Sequence, residues 1–264
     1  MFHRVIDFLG ARLFGAQKYR YAQYKRAKKI ARRQGYEIYK SHLIWFQDPE
    51  YLTADALVKK KNITGIPSDR CYVLLEFARQ VRQVPGDIAE CGVRYGKSSI
   101  FILTGLGDDS TKVMNIFDSF AGLSKPGQED ANPGGKTVWE TGELAVPETA
   151  VRENLSQFGD RIVLYKGWIP ARFQEVATQQ FAFVHIDVDL YQPTLDSVRF
   201  FYERLAPGGV MICDDYGSDY CPGAKQAFDE FFDDKPEGVI ALPTGQAVVI
   251  KQRIHGAPLK LDEH

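Results

Sequence analysis

From residue 87 onward, short apolar runs alternate with stretches in which apolar residues recur every three or four positions. The runs at Asp87–Cys91, 112–117, 161–165, Phe181–Ile186 and 209–213 have the length of strands. Between them, 95–106, 147–158, 170–178 and 192–205 carry helical spacing. Strands alternating with helices predict βαβ units on a parallel sheet. A helical stretch at 222–234 leads to two more strands, 239–242 and 247–251, split by Pro243-Thr244-Gly245-Gln246 as a hairpin turn. The expectation is a mostly parallel seven-stranded α/β sheet with an antiparallel last strand.

The segment ahead of it reads differently. Phe2, Val5, Ile6, Leu9 and Leu13 fall at helical spacing with Arg4 and Arg12 interspersed, a short basic amphipathic helix over 1–16. A second helical stretch covers 17–34. Residues 41–61 read as further helix or loop, broken at Pro49. The expected division is therefore a helical extension at 1–62, an α/β domain at 63–255 and a tail at 256–264. The Pro/Gly-rich stretch 124–135 is a long loop of the kind that forms lids or binding loops.

Composition changes this picture only in places. At 44% hydrophobic and 25% charged, the 264-residue chain is globular, not disordered. No run of apolar residues is long enough to span a membrane. The net charge of −1 gives no argument for nucleic acid as a partner. It conceals an asymmetry: residues 1–33 hold ten Lys or Arg and one acid, Asp7. The readings for this arm are a peripheral membrane anchor, a partner contact, or a cap helix, and an arm of this length suits a homo-oligomer. Cys71, Cys91, Cys213 and Cys221 form no C-x-x-C pair and read as buried, reduced thiols. The first residues lack the apolar core of a signal peptide, so the expected setting is cytoplasmic.

Three segments carry candidate chemistry. In Glu90-Cys91-Gly92-Val93-Arg94-Tyr95-Gly96-Lys97-Ser98, a strand delivers a glycine at its carboxyl end and a second glycine opens a helix. Such a turn lets backbone approach a ligand at the end of the sheet where ligands bind. Its spacing is neither the dinucleotide G-x-G-x-x-G nor a P-loop. Asp118, at the end of the second strand with Ser119 beside it, is placed to accept hydrogen bonds from ribose hydroxyls; its plainer role is to cap a turn. Asp187 and Asp189 follow the fourth strand, and Asp214 and Asp215 end the fifth. Carboxylates gathered at one sheet edge repel unless a cation or proton compensates. Hard oxygen donors of this kind suit Mg2+, Mn2+ or Ca2+.

Taken in order, GDIAECGVRYGKS, FDSF, HIDVDLY and LAPGGV followed by DDYG resemble the macrocin and mycinamicin O-methyltransferases over roughly residues 63–251. The resemblance implies a Rossmann-like class I fold and S-adenosyl-L-methionine as methyl donor. It implies Mg2+ held by Asp187, Asp214 and Asp215, with Asp187 as general base. It implies a donor site drawn from Thr64, Glu90, Cys91, Gly92, Val93, Arg94, Ser98, Asp118, Ser119, Gly167, Trp168 and Asp187. The acceptor would be a small molecule with adjacent hydroxyls, a sugar in natural-product or glycan biosynthesis. The segment after Gly167-Trp168, Ile169-Pro170-Ala171-Arg172, departs from the family, as does Val138-Trp139-Glu140-Thr141 where a histidine is expected. Glu140 is a candidate stand-in. His185 is an alternative base, although its place in an apolar strand favours a buried, hydrogen-bonded histidine. Rival readings are a catechol-type acceptor, a nicotinamide-dependent oxidoreductase, and a scaffold with a degenerate site.

Overall fold

The computed structural model describes residues 16–35, 40–108, 110–132 and 134–252. The helix expected over 1–16 and the tail at 256–264 lie outside the described residues, Ala16 excepted. Contacts divide the chain into two units, Met1–Asp48 and Pro49–His264.

The first unit holds helix α1 (Ala16–Arg33) and a 3₁₀ helix at Lys40–Gln47. The second begins with α2 (Pro49–Lys60) and α3 (Ser68–Gln80). Pro49 therefore starts a helix instead of breaking one, the first turn being where a missing N–H does no harm. Helix α3 was not apparent from spacing. It buries Cys71, Leu74, Leu75 and Ala78 on a stripe, and packs against α4 (Lys97–Leu106).

The sheet contains β1 (Asp87–Cys91), β2 (Met114–Asp118), β3 (Ile162–Lys166), β4 (Phe181–Ile186), β5 (Leu205–Cys213), β6 (Ile240–Ala241) and β7 (Ala247–Ile250). Their order is β3-β2-β1-β4-β5-β7-β6. Strands β1 to β5 run parallel, and β7 pairs antiparallel with β5 and β6. Strand β4, FAFVHI, is buried at every position, as a central parallel strand covered on both faces must be. Helices α5 (Glu148–Leu155), α6 (Tyr191–Tyr202) and α7 (Pro222–Phe232) complete the fold. Alternate strand residues such as Ala89, Val184, Met211 and Val249 pack with Val198, Phe201 and Phe228 of α6 and α7. Phe117, Phe173, Phe181 and Phe201 meet at angled ring contacts of about 5 to 6 Å in that core. Each fully buried ring contributes on the order of 2–3 kcal/mol.

Two sequence expectations change. The helix expected over 170–178 is a single 3₁₀ turn, Phe173–Val176. Its two buried side chains, three apart, reach the core without a longer helix, and β4 begins at Phe181. Residues 205–208, ahead of the strand expected at 209–213, already belong to β5, which takes up a register shift opposite Phe181 and Phe183.

Strand order reverses between β1 and β4. Neighbouring strands there send their connections to opposite sides, which opens a crevice beyond their carboxyl ends.

Candidate functional site

The turn after β1 is held very close to the turn after β4. Gly92 has φ +84°, and a Cβ there would lie 1.9 Å from the Asp187 carbonyl oxygen. The Asp187 N–H donates to the Cys91 carbonyl at 2.9 Å. Only glycine allows this approach.

Two crevices open at this edge. The first, about 570 Å³, is lined by Gly92, Val93, Arg94, Asp118, Ser119 and Trp168 among others. The second, about 820 Å³, is lined by Thr64, Arg70, Ser98, Trp139, Asp214 and Asp215 among others. Gly92, Val93, Arg94, Leu144, Asp187 and Asp189 belong to both.

The expected donor residues are thus divided. Gly92, Val93, Arg94, Asp118, Ser119, Trp168 and Asp187 come together in the first crevice. Thr64 and Ser98 lie in the second. Glu90, Cys91 and Gly167 line neither. The Glu90 carboxylate is fully buried, accepting from the Ser99 hydroxyl and lying 3.0 Å from His185 Nδ1. The buried Cys91 thiol packs into the core, which pushes its pKa up to about 12.

Asp118 fills the turn-bracing role. Its Oδ2 accepts the Val93 N–H at 2.9 Å and its Oδ1 accepts the Phe120 N–H at 2.6 Å. Burial raises its pKa, and these backbone bonds oppose the rise. Each carboxylate oxygen has a second lone pair, so the residue that braces the glycine turn can also accept from a ligand in the crevice.

The four acids beyond β4 and β5 differ sharply. Asp214 is fully buried, with partners on both carboxylate oxygens. Its Oδ2 pairs with Arg70 at 2.7 Å, and its Oδ1 accepts from Gln246 Nε2 at 2.7 Å and lies 3.5 Å from His185 Nε2. Burial alone would raise its pKa, but His185, Arg70 and Gln246 hold it below the usual carboxylate value. His185 opposes its own burial through Asp214 and Glu90, which push its pKa up to about 10. Its two ring nitrogens face two carboxylates, Nδ1 toward Glu90 and Nε2 toward Asp214. The histidine is therefore hydrogen-bonded inside the strand, as its place in the pattern implied.

Asp187 and Asp215 go the other way. Burial, then the charge of Asp214, raises Asp187 well above the ordinary value; burial, then Asp189 and Asp187, does the same to Asp215. Asp215 Oδ2 accepts the Asp189 N–H at 3.1 Å. Asp189 itself is raised to about 6, mainly by burial. It caps no helix: the N–H of Tyr191, at the start of α6, goes to Asp130 Oδ1 at 2.7 Å. Ligand atoms of His185, Asp187 and Asp214 lie within 4.8 Å of one another, as do those of Asp189, Asp215 and Cys221. The expected set of Asp187, Asp214 and Asp215 thus straddles two adjacent groups. Glu140 has its N–H bonded to Glu143 Oε2 at 2.7 Å and lines neither crevice.

Arg70, Gln246 and Asp130 escaped sequence reading. Arg70 sits on α3 and donates from Nε to the Thr244 carbonyl at 3.0 Å, while Gln246 sits in the hairpin before β7. Asp130 also accepts the Gly127 N–H at 2.7 Å, and a Cβ at Gly223 would lie 2.1 Å from its Oδ1. The 124–135 loop is thus tied down beside α6 and α7. No local pattern announces any of the three. Thr244 next to the Gly245 turn was the nearest signal.

The macrocin-O-methyltransferase (TylF) family model matches residues 59–237. The 8-demethyl-8-(2,3-dimethoxy-α-L-rhamnosyl)-tetracenomycin-C 4′-O-methyltransferase of Streptomyces olivaceus is 36% identical over 149 residues, covering 53% of this chain and 57% of that protein. The mycinamicin III 3″-O-methyltransferase of Micromonospora griseorubida is 30% identical over 159 residues, covering 57% and 61%. The matched region spans less than two thirds of the length of either relative. Among solved structures, the O-methyltransferase NovP superposes with a TM-score of 0.58 at 27% identity, covering 70% of this chain and 80% of that one. The calicheamicin methyltransferase CalS11, at 24% identity and a TM-score of 0.60 over 77% and 93%, shares the fold. The reversal of strand order at β1 and β4, the glycine turn and the acids beyond it lie inside the matched span, and the chain belongs to the macrocin-O-methyltransferase family.

Proposed function

We propose that this chain transfers a methyl group from S-adenosyl-L-methionine to a hydroxyl of a sugar or other vicinal diol, with a divalent cation held by Asp187, Asp214 and Asp215. The observation that carries the reading is the wall the two crevices share at Gly92, Asp187 and Asp189. A donor in the first crevice and an acceptor in the second would face each other there, and holding two reactants in line removes a large share of the barrier. The relatives' names, a rhamnosyl-tetracenomycin 4′-O-methyltransferase among them, support an acceptor bearing sugar hydroxyls.

On this reading Asp118 and Ser119 receive the ribose hydroxyls, the Gly92–Arg94 backbone follows the methionine portion, and Trp168 stands beside the adenine. Thr64 and Ser98 stand on the acceptor side of the shared wall. The donor set fits a hard divalent cation: it is made of carboxylate oxygens, and burial with mutual repulsion raises Asp187, Asp189 and Asp215, a strain that bound positive charge reverses. When bound, Mg2+ supplies a Lewis acid that lowers the pKa of a neighbouring hydroxyl. Arg70, Gln246 and His185 keep Asp214 ionised and fixed. Asp187 takes the hydroxyl proton on a carboxylate oxygen as the new C–O bond forms and the S–CH3 bond breaks. S-adenosylhomocysteine leaves, and the proton passes from Asp187 to solvent.

Calorimetric titration of S-adenosyl-L-methionine, then of Mg2+, into the purified protein tests the reading. Both should bind, and Asp215→Asn should weaken Mg2+ while sparing the donor. Folded protein that binds neither would overturn the proposal and return the nicotinamide cofactors to consideration.

A further inference from the structure

Residues 136–144 read KTVWETGEL, a mostly polar loop that carries a tryptophan. A side chain of that area in such a loop serves packing or binding. Trp139 is half-buried and packs on the core that holds Cys221 and Phe228. Its indole N–H is buried without a hydrogen-bond partner, and its neighbour is the Cys221 sulfur, a weak acceptor. The polar edge of the ring is thus inside, and the side chain offers the second crevice apolar ring surface.

The backbone holds the ring there. The Leu123 N–H donates to the Glu143 carbonyl at 2.8 Å, and the Gly142 N–H donates to the Leu123 carbonyl at 2.9 Å. Gly122 has φ +88°, and a Cβ there would lie 2.3 Å from the Gly142 carbonyl oxygen. A loop clamped in this way orders the ring before a ligand arrives, which lowers the cost of binding. Cys221 also sets the ring beside the acids. Its Sγ donates to Asp189 Oδ1 at 3.5 Å and lies in one group with Asp189 and Asp215. The other aromatic side chain of this crevice, Tyr95, has the Arg94 guanidinium over its ring at 5.8 Å.

An aromatic face beside carboxylates selects for a ring with hydroxyls at its edge and C–H groups on its face. The indole face is electron-rich, and the C–H groups of a pyranose, polarised by their oxygens, turn positive charge toward it. An acyclic diol has no such face. A catechol stacks, but its hydroxyls occupy one edge only. The polar groups of the crevice come from separate segments: Thr64 ahead of α3, Arg70 on α3, Ser98 on α4, and the acids beyond β4 and β5. A pyranoside, with hydroxyls around its ring, can meet several of them at once.

We propose that Trp139 is a specificity-determining residue, its indole face receiving the C–H face of a pyranoside ring while neighbouring hydroxyls of that ring meet the acids beyond β4 and β5. The proposal rests on the methyl-transfer reading above and names the side chain that chooses its acceptor.

The test is saturation-transfer NMR with titration of methyl α-L-rhamnopyranoside, in the presence of S-adenosylhomocysteine and Mg2+. The parent should transfer saturation to the ring C–H protons. W139A should raise the Kd of the glycoside about tenfold and leave the Kd of S-adenosyl-L-methionine unchanged. W139F keeps a ring face and should stay within about threefold of the parent. Thermal melting confirms that each variant is folded. An unchanged glycoside Kd in W139A, or an equal loss of donor affinity there, would overturn the proposal. So would a parent that binds the donor yet shows no transfer to the glycoside, or one that binds catechol more tightly than the glycoside; both leave methyl transfer standing. A parent that binds no donor would remove the methyl-transfer reading and this proposal with it.

Discussion

Asp214 and Asp187 are the same residue type at the ends of neighbouring strands, and they behave oppositely. Asp214 is held below the usual carboxylate value by Arg70, His185 and Gln246. Asp187 is pushed well above it, by burial and by Asp214 itself. Strand position is common to both; what differs is what distant elements bring. Helix α3 and the hairpin before β7 deliver a guanidinium and an amide to one carboxylate and leave the other at the wall between two crevices. One acid is built to stay charged and still. The other is placed to exchange a proton with what occupies the crevices.

The contrast can be broken most severely at Asp187. Asp187→Asn should lower turnover by roughly 10²- to 10⁴-fold, the usual range for loss of a positioned base, with donor affinity unchanged. Steady-state kinetics and calorimetry together read this, and retained turnover would remove Asp187 from the chemistry. The matching change at Asp214 should show as stability. Asp214→Ala strips the partner from buried His185 and from Arg70, and breaking a buried ion pair costs about 3–5 kcal/mol. Denaturant melts of the variant measure it; a loss below about 1 kcal/mol would mean the pairing contributes as little as a surface one.

Asp118 sharpens the same theme, because its carboxylate serves the fold and a ligand together. Asp118→Asn keeps the size of the side chain, removes its charge and gives up one of the two brace bonds, since an amide nitrogen cannot accept, and should weaken S-adenosyl-L-methionine by about tenfold, in line with hydrogen bonds to a charged group. An unchanged Kd would leave Asp118 as a turn brace alone.

The smallest effect is in the pH dependence of the metal-free protein. Asp189 has a folded pKa near 6 against about 3.9 in an unfolded chain. Between those values the folded state holds more of the proton, so its contribution to stability is full at low pH and fades as pH rises through the folded value. Asp214 has the opposite sign: its contribution is present above the unfolded pKa and is lost as pH falls through its depressed folded value. Melting in chelator across this window should show the Asp189 part flattened in Asp189→Asn. A slope unaltered by that substitution would assign it elsewhere.

The strands were legible because a parallel strand buried on both faces must be a short, nearly unbroken apolar run, as in residues 181–186. The Asp118, Asp187, Asp214 and Asp215 positions were legible for a related reason: ligand crevices lie at the carboxyl ends of such strands. Helix α3 was missed because its stripe of Cys71, Leu74, Leu75 and Ala78 precedes the alternation of strands and helices that begins at residue 87, and the helix expected at 170–178 was over-read from Phe173 and Val176, which a 3₁₀ turn satisfies. Glu90 shows the limit in one residue. Its place beside the glycine turn put it with the donor contacts, whereas the pleat directs its side chain to Ser99 and His185, away from both crevices.

By itself, the sequence determined the alternation of strands and helices, the glycine that lets two turns meet, the cluster of acids beyond β4 and β5, and the basic character of the first 33 residues. Those are properties of spacing and composition, and spacing and composition are local. Only the tertiary structure decided that Arg70 and Gln246, more than 30 positions from Asp214 along the chain, would hold that acid ionised and leave Asp187 without the same support. The pKa of a buried carboxylate is set by the charges and donors within a few ångströms of it, and chain distance says nothing about which residues those are.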